Sequence, residues 1–94
     1  MGNGVIFRRH ATDQMHVRGI EPDEVRSALA TGETIEEPAE GTENPVRLVL
    51  GYTEFGPLHV AVVDDEVTGA MVVVTAYRPS LLRWQPDWRT RRGR

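Results

Sequence analysis

The sequence predicts a two-layer α+β fold, in which two N-terminal helices pack on a three- to four-stranded antiparallel sheet. Apolar residues follow a helical period between residues 9 and 31. From residue 46 onward the period changes to two, and short polar connections separate the runs, which is typical of an antiparallel meander. A chain of 94 residues has room for one domain. We place it at residues 1–78, followed by a tail at residues 79–94.

The helical part divides into two helices. The first is predicted at about Arg9–Arg18, with Ala11 and Met15 on one face, and Gly19 follows in the position that commonly ends a helix. Pro22 suits the first turn of the second helix, which Thr31-Gly32 closes. The buried stripe expected on this second helix consists of Val25, Ala28 and Leu29.

The remaining elements are strands. Residues 4–7 form a short β-prone start, and residues 33–36 are expected to form a short strand before a polar loop. Three longer strands are predicted at residues 46–52, 58–63 and 70–77. The last two are apolar on both faces, so we expect them to lie centrally in the sheet and to be covered by the helices on at least one side.

The charged residues are distributed unevenly. All eleven basic residues are Arg, and the net charge is −3. Residues 21–43 hold eight acidic residues against Arg26, which gives −7, whereas residues 78–94 hold six arginines against Asp87, which gives +5. Such asymmetry is typical of contact with nucleic acid or with a charged protein partner. A GC-rich genome would also account for the missing lysine.

Composition excludes several classes of protein. The chain has no cysteine, which excludes a disulfide scaffold, cysteine-ligated zinc and a thiol nucleophile. No run of eighteen apolar residues predicts a membrane span, and the start has no signal-peptide pattern, so we expect a cytoplasmic protein without membrane contact. A domain of this size has a thin core, and a second copy of the chain or another partner would help to cover it.

Two candidate catalytic residues lie on the strands. His59 stands inside an apolar run, where a polar ring needs either a hydrogen-bond partner or a function. A hairpin centred near Val67 would place His59 opposite Thr75, with Tyr77 diagonal to it on the same face. Arg78 follows Tyr77, and because strand ends twist, both side chains could reach one cleft. A core role for His59 and an ion pair between Arg78 and the acidic segment remain open as alternatives.

The first helix and the tail supply the other candidates. His10, at the start of the helix, is a candidate acid or base, although a structural role, packed on the edge of the sheet, is also open. His10 and His16 are six positions apart and point to nearly opposite sides, so they cannot ligate one metal ion. In the tail, indole rings alternate with arginines, which suits single-stranded RNA. We favour an anchoring role on the sheet for Trp84 and Trp88, which leaves the arginines for RNA.

These residues resemble a family of small bacterial proteins known only as a domain of unknown function. The resemblance covers roughly residues 6–92, and its specificity comes from the order and spacing of short motifs. These motifs are His10-Ala11, Met15 to Ile20, Glu24-Val25, Ala28-Leu29, Gly32-Glu33, Ile35-Glu36, Leu58-His59-Val60, Val74 to Pro79, Trp84 and Arg91-Arg92.

The family looks like a relative of RelE- and BrnT-type toxins, whose genes often accompany genes for antitoxin-like proteins. The resemblance implies a RelE-like fold, an antitoxin partner and metal-independent cleavage of RNA without a cofactor. A lysine-based site is excluded because the chain has no lysine. His59 or His10 would then act as general base, and the other histidine or Tyr77 as general acid. Arg18 or Arg78 would stabilise the phosphate. The residues expected to hold RNA are Arg18, Arg83, Arg89, Arg91 and Arg92.

Two other functions stay open. The chain could be a non-catalytic module with the same fold, which binds a partner protein through the acidic segment at residues 21–43 or through a sheet edge. A homodimer would be one form of such binding. An enzyme acting on a small molecule ranks last, because the sequence has no phosphate loop and no dinucleotide-binding motif.

Overall fold

The computed structural model describes residues 4–93 as two helices and one five-stranded sheet. Residues 1–3 of the predicted domain and residue 94 of the predicted tail lie outside the described residues. The elements in chain order are β1 Val5–Phe7, α1 Arg9–Arg18, α2 Pro22–Thr31, β2 Glu33–Glu36, β3 Val46–Thr53, β4 Gly56–Asp64 and β5 Met71–Tyr77. The α+β class and the two N-terminal helices are therefore confirmed.

Both helices have the end signals that the sequence predicts. α1 ends at Gly19, whose φ of +70° is the left-handed conformation in which the next residues can bond back to the last carbonyls of the helix. α2 has Pro22 in its first turn and a capping box in which Glu21 and Glu24 satisfy each other's backbone N–H groups. These caps explain why a connection of only three residues separates the two helices.

The sheet differs from the prediction in size and in direction. It has five strands in the order β1-β5-β4-β3-β2, and β1 runs parallel to β5, so the predicted three- to four-stranded antiparallel sheet is wrong. The four strands β2 to β5 do form an antiparallel set. β1 contributes three residues, too few to show a period of two, and its partner is the last strand in the chain. Neither its pairing nor its direction could therefore be inferred from a local pattern.

The register of β4 and β5 also differs from the expected one. His59 lies directly opposite Tyr77, whereas the pairing of His59 with Thr75 is wrong. The hairpin is centred half a residue beyond Val67, and a β-bulge next to Ala61 inserts one further residue into β5. Each change moves the partner of His59 by one position. Two such moves preserve the alternation of faces, so His59 and Tyr77 still share one face, as expected.

Each face of the sheet has its own hydrophobic cluster. α1 and α2 cover one face, where Ala11, Met15, Val25 and Ala28 pack against the inward side chains of the strands. The other face is covered by the C-terminal segment, residues 79–93. Its cluster consists of Leu48, Ala61 and Trp84, with Ile35, Val74 and Trp88 packed against them. The anchoring role of the two tryptophans is thus confirmed, and the predicted tail lies on the sheet.

Candidate functional site

His59 and Tyr77 form the centre of the face that the C-terminal segment covers. The His59 side chain is completely buried. Its Nδ1 lies 3.2 Å from the Tyr77 hydroxyl, and its Nε2 lies 2.8 Å from the backbone carbonyl oxygen of Trp88. The His59 ring meets Tyr77 and Trp84 edge-on, at centroid distances of 5.2 and 4.4 Å. Both ring nitrogens therefore have a partner, as a buried imidazole requires.

These hydrogen bonds assign the protonation of the imidazole. A carbonyl oxygen can only accept, so Nε2 of His59 carries the hydrogen and donates to Trp88. Burial lowers the pKa of His59, which favours the neutral ring, although the Trp88 carbonyl acts in the opposite direction. In the neutral ring Nδ1 then accepts the hydroxyl hydrogen of Tyr77. Burial raises the pKa of Tyr77, so this hydroxyl keeps its proton near neutral pH.

A second cluster of polar side chains lies where α1 meets the end of β5 that β1 does not pair with. β1 pairs only with the residues from Met71 to Val73, so the end of β5 has no strand beside it on that side within residues 4–93. Arg18 of α1 fills this position and donates to the Thr75 hydroxyl at 3.2 Å and to the Ala76 carbonyl at 2.9 Å. We call this region the α1–β5 edge, and its residues are His10, Gln14, Arg18, Thr75 and Tyr77.

Gln14 links the histidine at the start of α1 to this edge. Its Oε1 accepts a hydrogen bond of 2.6 Å from Thr75, and its Nε2 lies 3.0 Å from Nε2 of His10. His10, Gln14 and Arg18 are four positions apart and so form one exposed stripe along the helix. A shallow depression of about 240 Å³ lies along this stripe. The charge of Arg18 also acts on Tyr77, where it opposes the effect of burial on the pKa.

Arg78 does not join these residues. It lies on the helix side of β5 and bonds to Glu24 of α2 at 3.0 Å and to the Gly19 carbonyl at 3.3 Å. Its guanidinium also lies 5.8 Å from the centre of the Phe55 ring. The ion pair with the acidic segment, one of the alternatives for this residue, is therefore what the structure contains. Arg78 holds the end of β5 against the beginning of α2.

Most arginines of the C-terminal segment are engaged within the chain. Arg89 is paired with Glu33, and Arg91 binds Glu36 through two hydrogen bonds of 2.6 and 2.9 Å. The Arg91 pair lowers the pKa of Glu36. Arg92 donates to the Leu81 carbonyl. Arg83 is exposed. The acidic segment at residues 21–43 and the arginines of the C-terminal segment thus meet at β2, and the structure gives Arg89 and Arg91 partners within the chain beside the expected RNA contact.

Three contributors to this arrangement were missed by the sequence prediction. Gln14 could have been found, because it lies midway between His10 and Arg18 at helical spacing. Thr75 was named only as a cross-strand neighbour, and its contacts with α1 depend on the packing of the helix. The Trp88 carbonyl has no sequence signal, since any residue carries one. Among residues 4–93 no group of three or more acidic or histidine side chains is placed to hold a metal ion.

The arrangement can bind an anion and move a proton. A guanidinium carries five N–H donors, and the contacts of Arg18 within the chain use one of its two amino groups. Tyr77 and His59 form a continuous hydrogen-bonded path from the sheet edge into the interior. Neither helix in the described part of the chain has the length and apolar composition needed to cross a membrane.

One comparison with known proteins gives a match. The family model "Domain of unknown function (DUF4258)" matches residues 7–78, more than half of the chain. The chain belongs to the DUF4258 family. The resemblance described from the sequence is confirmed at this level. The match covers every helix and strand except the first two residues of β1, and it ends at Arg78, before the C-terminal segment. No curated protein and no solved structure matches the chain at a significant level.

Proposed function

We propose that this DUF4258 protein is the toxin-like member of a toxin–antitoxin pair, with a RelE-like fold, and that it cleaves RNA in the cytoplasm without a metal. The observation that supports this proposal most directly is the α1–β5 edge. His10 and Arg18, both candidates from the sequence, lie on one stripe of α1 and are linked through Gln14 and Thr75 to the end of β5. The partly exposed Tyr77, a third candidate, ends that strand and bonds to His59. A cationic group beside groups that exchange protons is what cleavage at a ribose 2′-hydroxyl requires.

The full burial of His59 changes its proposed role. It cannot touch RNA directly, so Tyr77 meets the 2′-hydroxyl instead. As the Tyr77 oxygen takes the proton of the 2′-hydroxyl, its own hydrogen passes to Nδ1 of His59, which becomes an imidazolium. The 2′-oxygen attacks the phosphorus while Arg18 neutralises the developing charge. The bond to the 5′-oxygen breaks, and that oxygen takes a proton from the His10 imidazolium, which forms when the Gln14 amide releases Nε2 of His10. The products are a 2′,3′-cyclic phosphate and a 5′-hydroxyl end.

Cleavage assays on structured and messenger RNA, with and without ribosomes, test this proposal. Arg18→Ala and Tyr77→Phe should each lower the cleavage rate about a hundredfold or more. Tyr77→Phe retains the ring beside His59 and removes only the hydroxyl, and circular dichroism checks that the variant is folded. His16→Ala is the matched control, because His16 is an exposed histidine of the same helix that lies outside the stripe. A chelator should have no effect. Intact RNA with the wild-type protein, or full activity in all variants, would refute the proposal.

A non-catalytic module that binds a partner protein is the second candidate. Both ring nitrogens of His59 already have hydrogen-bond partners. This favours the non-catalytic module, because such a histidine can stabilise the core without taking part in a reaction. Within residues 4–93, β1 and β2 are the outer strands of the sheet and pair on one side only, so their other sides offer backbone groups to a partner or to a second copy of the chain. Under this function the gene beside the chain should not encode an antitoxin-like protein, a partner protein should bind wild type and Tyr77→Phe equally, and expression should be harmless. Loss of growth on expression would favour the ribonuclease.

A further inference from the structure

Trp88 has an unusual backbone conformation at the point where it meets His59. Its φ is +61°, and it is the one non-glycine residue with a positive φ among residues 4–93. Side chains other than glycine, asparagine and aspartate rarely adopt this conformation, so the surrounding structure must enforce it. This residue is also the one whose carbonyl oxygen reaches the buried His59 Nε2 at 2.8 Å. The strained residue and the buried contact thus coincide.

The neighbouring residues form a short turn that holds Trp88 in place. The backbone N–H of Gln85 bonds to the Thr90 carbonyl at 2.8 Å, and the Trp88 N–H bonds to the Gln85 carbonyl at 2.9 Å. The Asp87 carboxylate accepts from the N–H groups of Arg89 and Thr90. The turn is closed by a β-bridge between Trp84 and Arg91. The buried Trp84 anchors the turn to the face of the sheet, and Arg91 anchors it to Glu36 of β2.

We propose that Trp88 is a positioning residue whose left-handed backbone presents its carbonyl to His59 and thereby sets the direction of the Tyr77 hydroxyl. The carbonyl keeps the hydrogen on Nε2, so Nδ1 stays bare and Tyr77 donates inward. The lone pairs of the Tyr77 oxygen are then left for an incoming hydroxyl group. The C-terminal segment, which lies beyond the family match at residues 7–78, completes the site.

This inference rests on the proposed function for the statement that Tyr77 meets a substrate, but the hydrogen-bond direction can be measured by itself. Nuclear magnetic resonance of protein labelled with nitrogen-15 at histidine distinguishes protonated from bare ring nitrogens. In the wild-type protein at neutral pH, His59 should carry its hydrogen on Nε2. A hydrogen on Nδ1 would overturn the proposal, whatever the protein does to RNA.

Two substitutions separate the backbone of Trp88 from its ring. Trp88→Asn and Trp88→Val both remove the indole, but asparagine tolerates a positive φ and the β-branched valine does not. The asparagine variant should keep the hydrogen of His59 on Nε2, whereas the valine variant should show a mixture of tautomers. The same tautomer population of His59 in the two variants would overturn the proposal. If the valine variant does not fold, Trp88→Gly tests the proposal from the other side, because glycine keeps the left-handed backbone without the indole. Its His59 hydrogen should stay on Nε2, and a hydrogen on Nδ1 would overturn the proposal.

RNA cleavage gives an independent readout. If the wild-type protein cleaves RNA, kcat of the valine variant should fall about tenfold or more below that of the asparagine variant, with KM unchanged, because no RNA contact is altered. Equal kcat values would contradict a positioning role. If the wild-type protein leaves RNA intact, the proposed function fails, while the tautomer measurement still decides the role of Trp88.

Discussion

Replacing Trp84 by alanine should remove a large part of the stability of the chain. The Trp84 side chain is 2% exposed and packs against Leu48 and Ala61 on the face opposite the helices. It also meets the His59 ring and lies under the Arg91 guanidinium at 4.7 Å. A buried tryptophan removes ~200 Å² from water, and its loss leaves a cavity, so Trp84→Ala should cost about 4 kcal/mol.

This cost is large because the domain is small. A chain of this length is stable by roughly 5–14 kcal/mol, so the substitution removes more than about a quarter of the free energy of unfolding. The unfolding entropy typical of its size converts this loss into a fall in Tm of about 20 °C. Far-UV circular dichroism during urea and thermal unfolding measures both quantities without relying on tryptophan fluorescence.

The matched control for Trp84→Ala is Leu82→Ala. Leu82 lies two residues earlier in the same segment and is 88% exposed, so its truncation should change the free energy of unfolding by less than about 0.5 kcal/mol. A change below about 1 kcal/mol for Trp84→Ala would refute the packing of the C-terminal segment on the sheet. The assigned roles of Trp88 and His59 would then fall with it.

Three further outcomes follow from the contacts. Glu24→Gln should cost about 2 kcal/mol in urea unfolding, because the partly buried Arg78 loses its charge partner, and a cost near zero would refute that pairing. Burial lowers the pKa of His59 in the folded chain, so below pH ~6.5 the unfolded chain binds more protons than the folded one. The contribution of neutral His59 to stability is therefore complete above pH ~6.5 and falls as the pH drops towards the pKa of the folded state. Urea midpoints across this range should show that slope in wild type and a shallower one in His59→Gln. Gly51→Ala should lower Tm, since a Cβ there would clash with the backbone of Ala28 and push α2 off the sheet; an unchanged Tm would contradict the close approach of Gly51 and Ala28.

The parts of the fold that depend on local patterns could be predicted from the sequence. Gly19 and Pro22 mark helix ends through their own backbone preferences, and the alternating strands identify themselves by period. β1 could not be assigned in this way, because its parallel pairing with β5 joins segments from opposite ends of the chain. The bulge beside Ala61 has no residue-type signature, so the partner of His59 had to come from the structure.

The sequence identified most residues of the candidate site, but it did not show which of them lie together in the fold. His10, Arg18 and Tyr77 were all named, yet their common edge depends on how α1 packs beside the free end of β5. Arg78 follows Tyr77 directly, but successive strand residues face opposite sides, and its partner Glu24 lies on the helix side. Sequence proximity therefore suggested a cluster that the alternation of the strand separates.

The uneven charge distribution takes on a different meaning once the chain is folded. Glu33 and Glu36 of the acidic segment hold Arg89 and Arg91 of the basic one, so part of the asymmetry disappears when the C-terminal segment docks on the sheet. These pairs are exposed and contribute little stability individually, and they connect β2 to the segment that carries the Trp88 carbonyl. An RNA strand that bound Arg91 would first have to displace Glu36, which holds the guanidinium through two hydrogen bonds. The RNA contact that the proposed function needs is therefore better supplied by Arg18, whose contacts within the chain leave donors available.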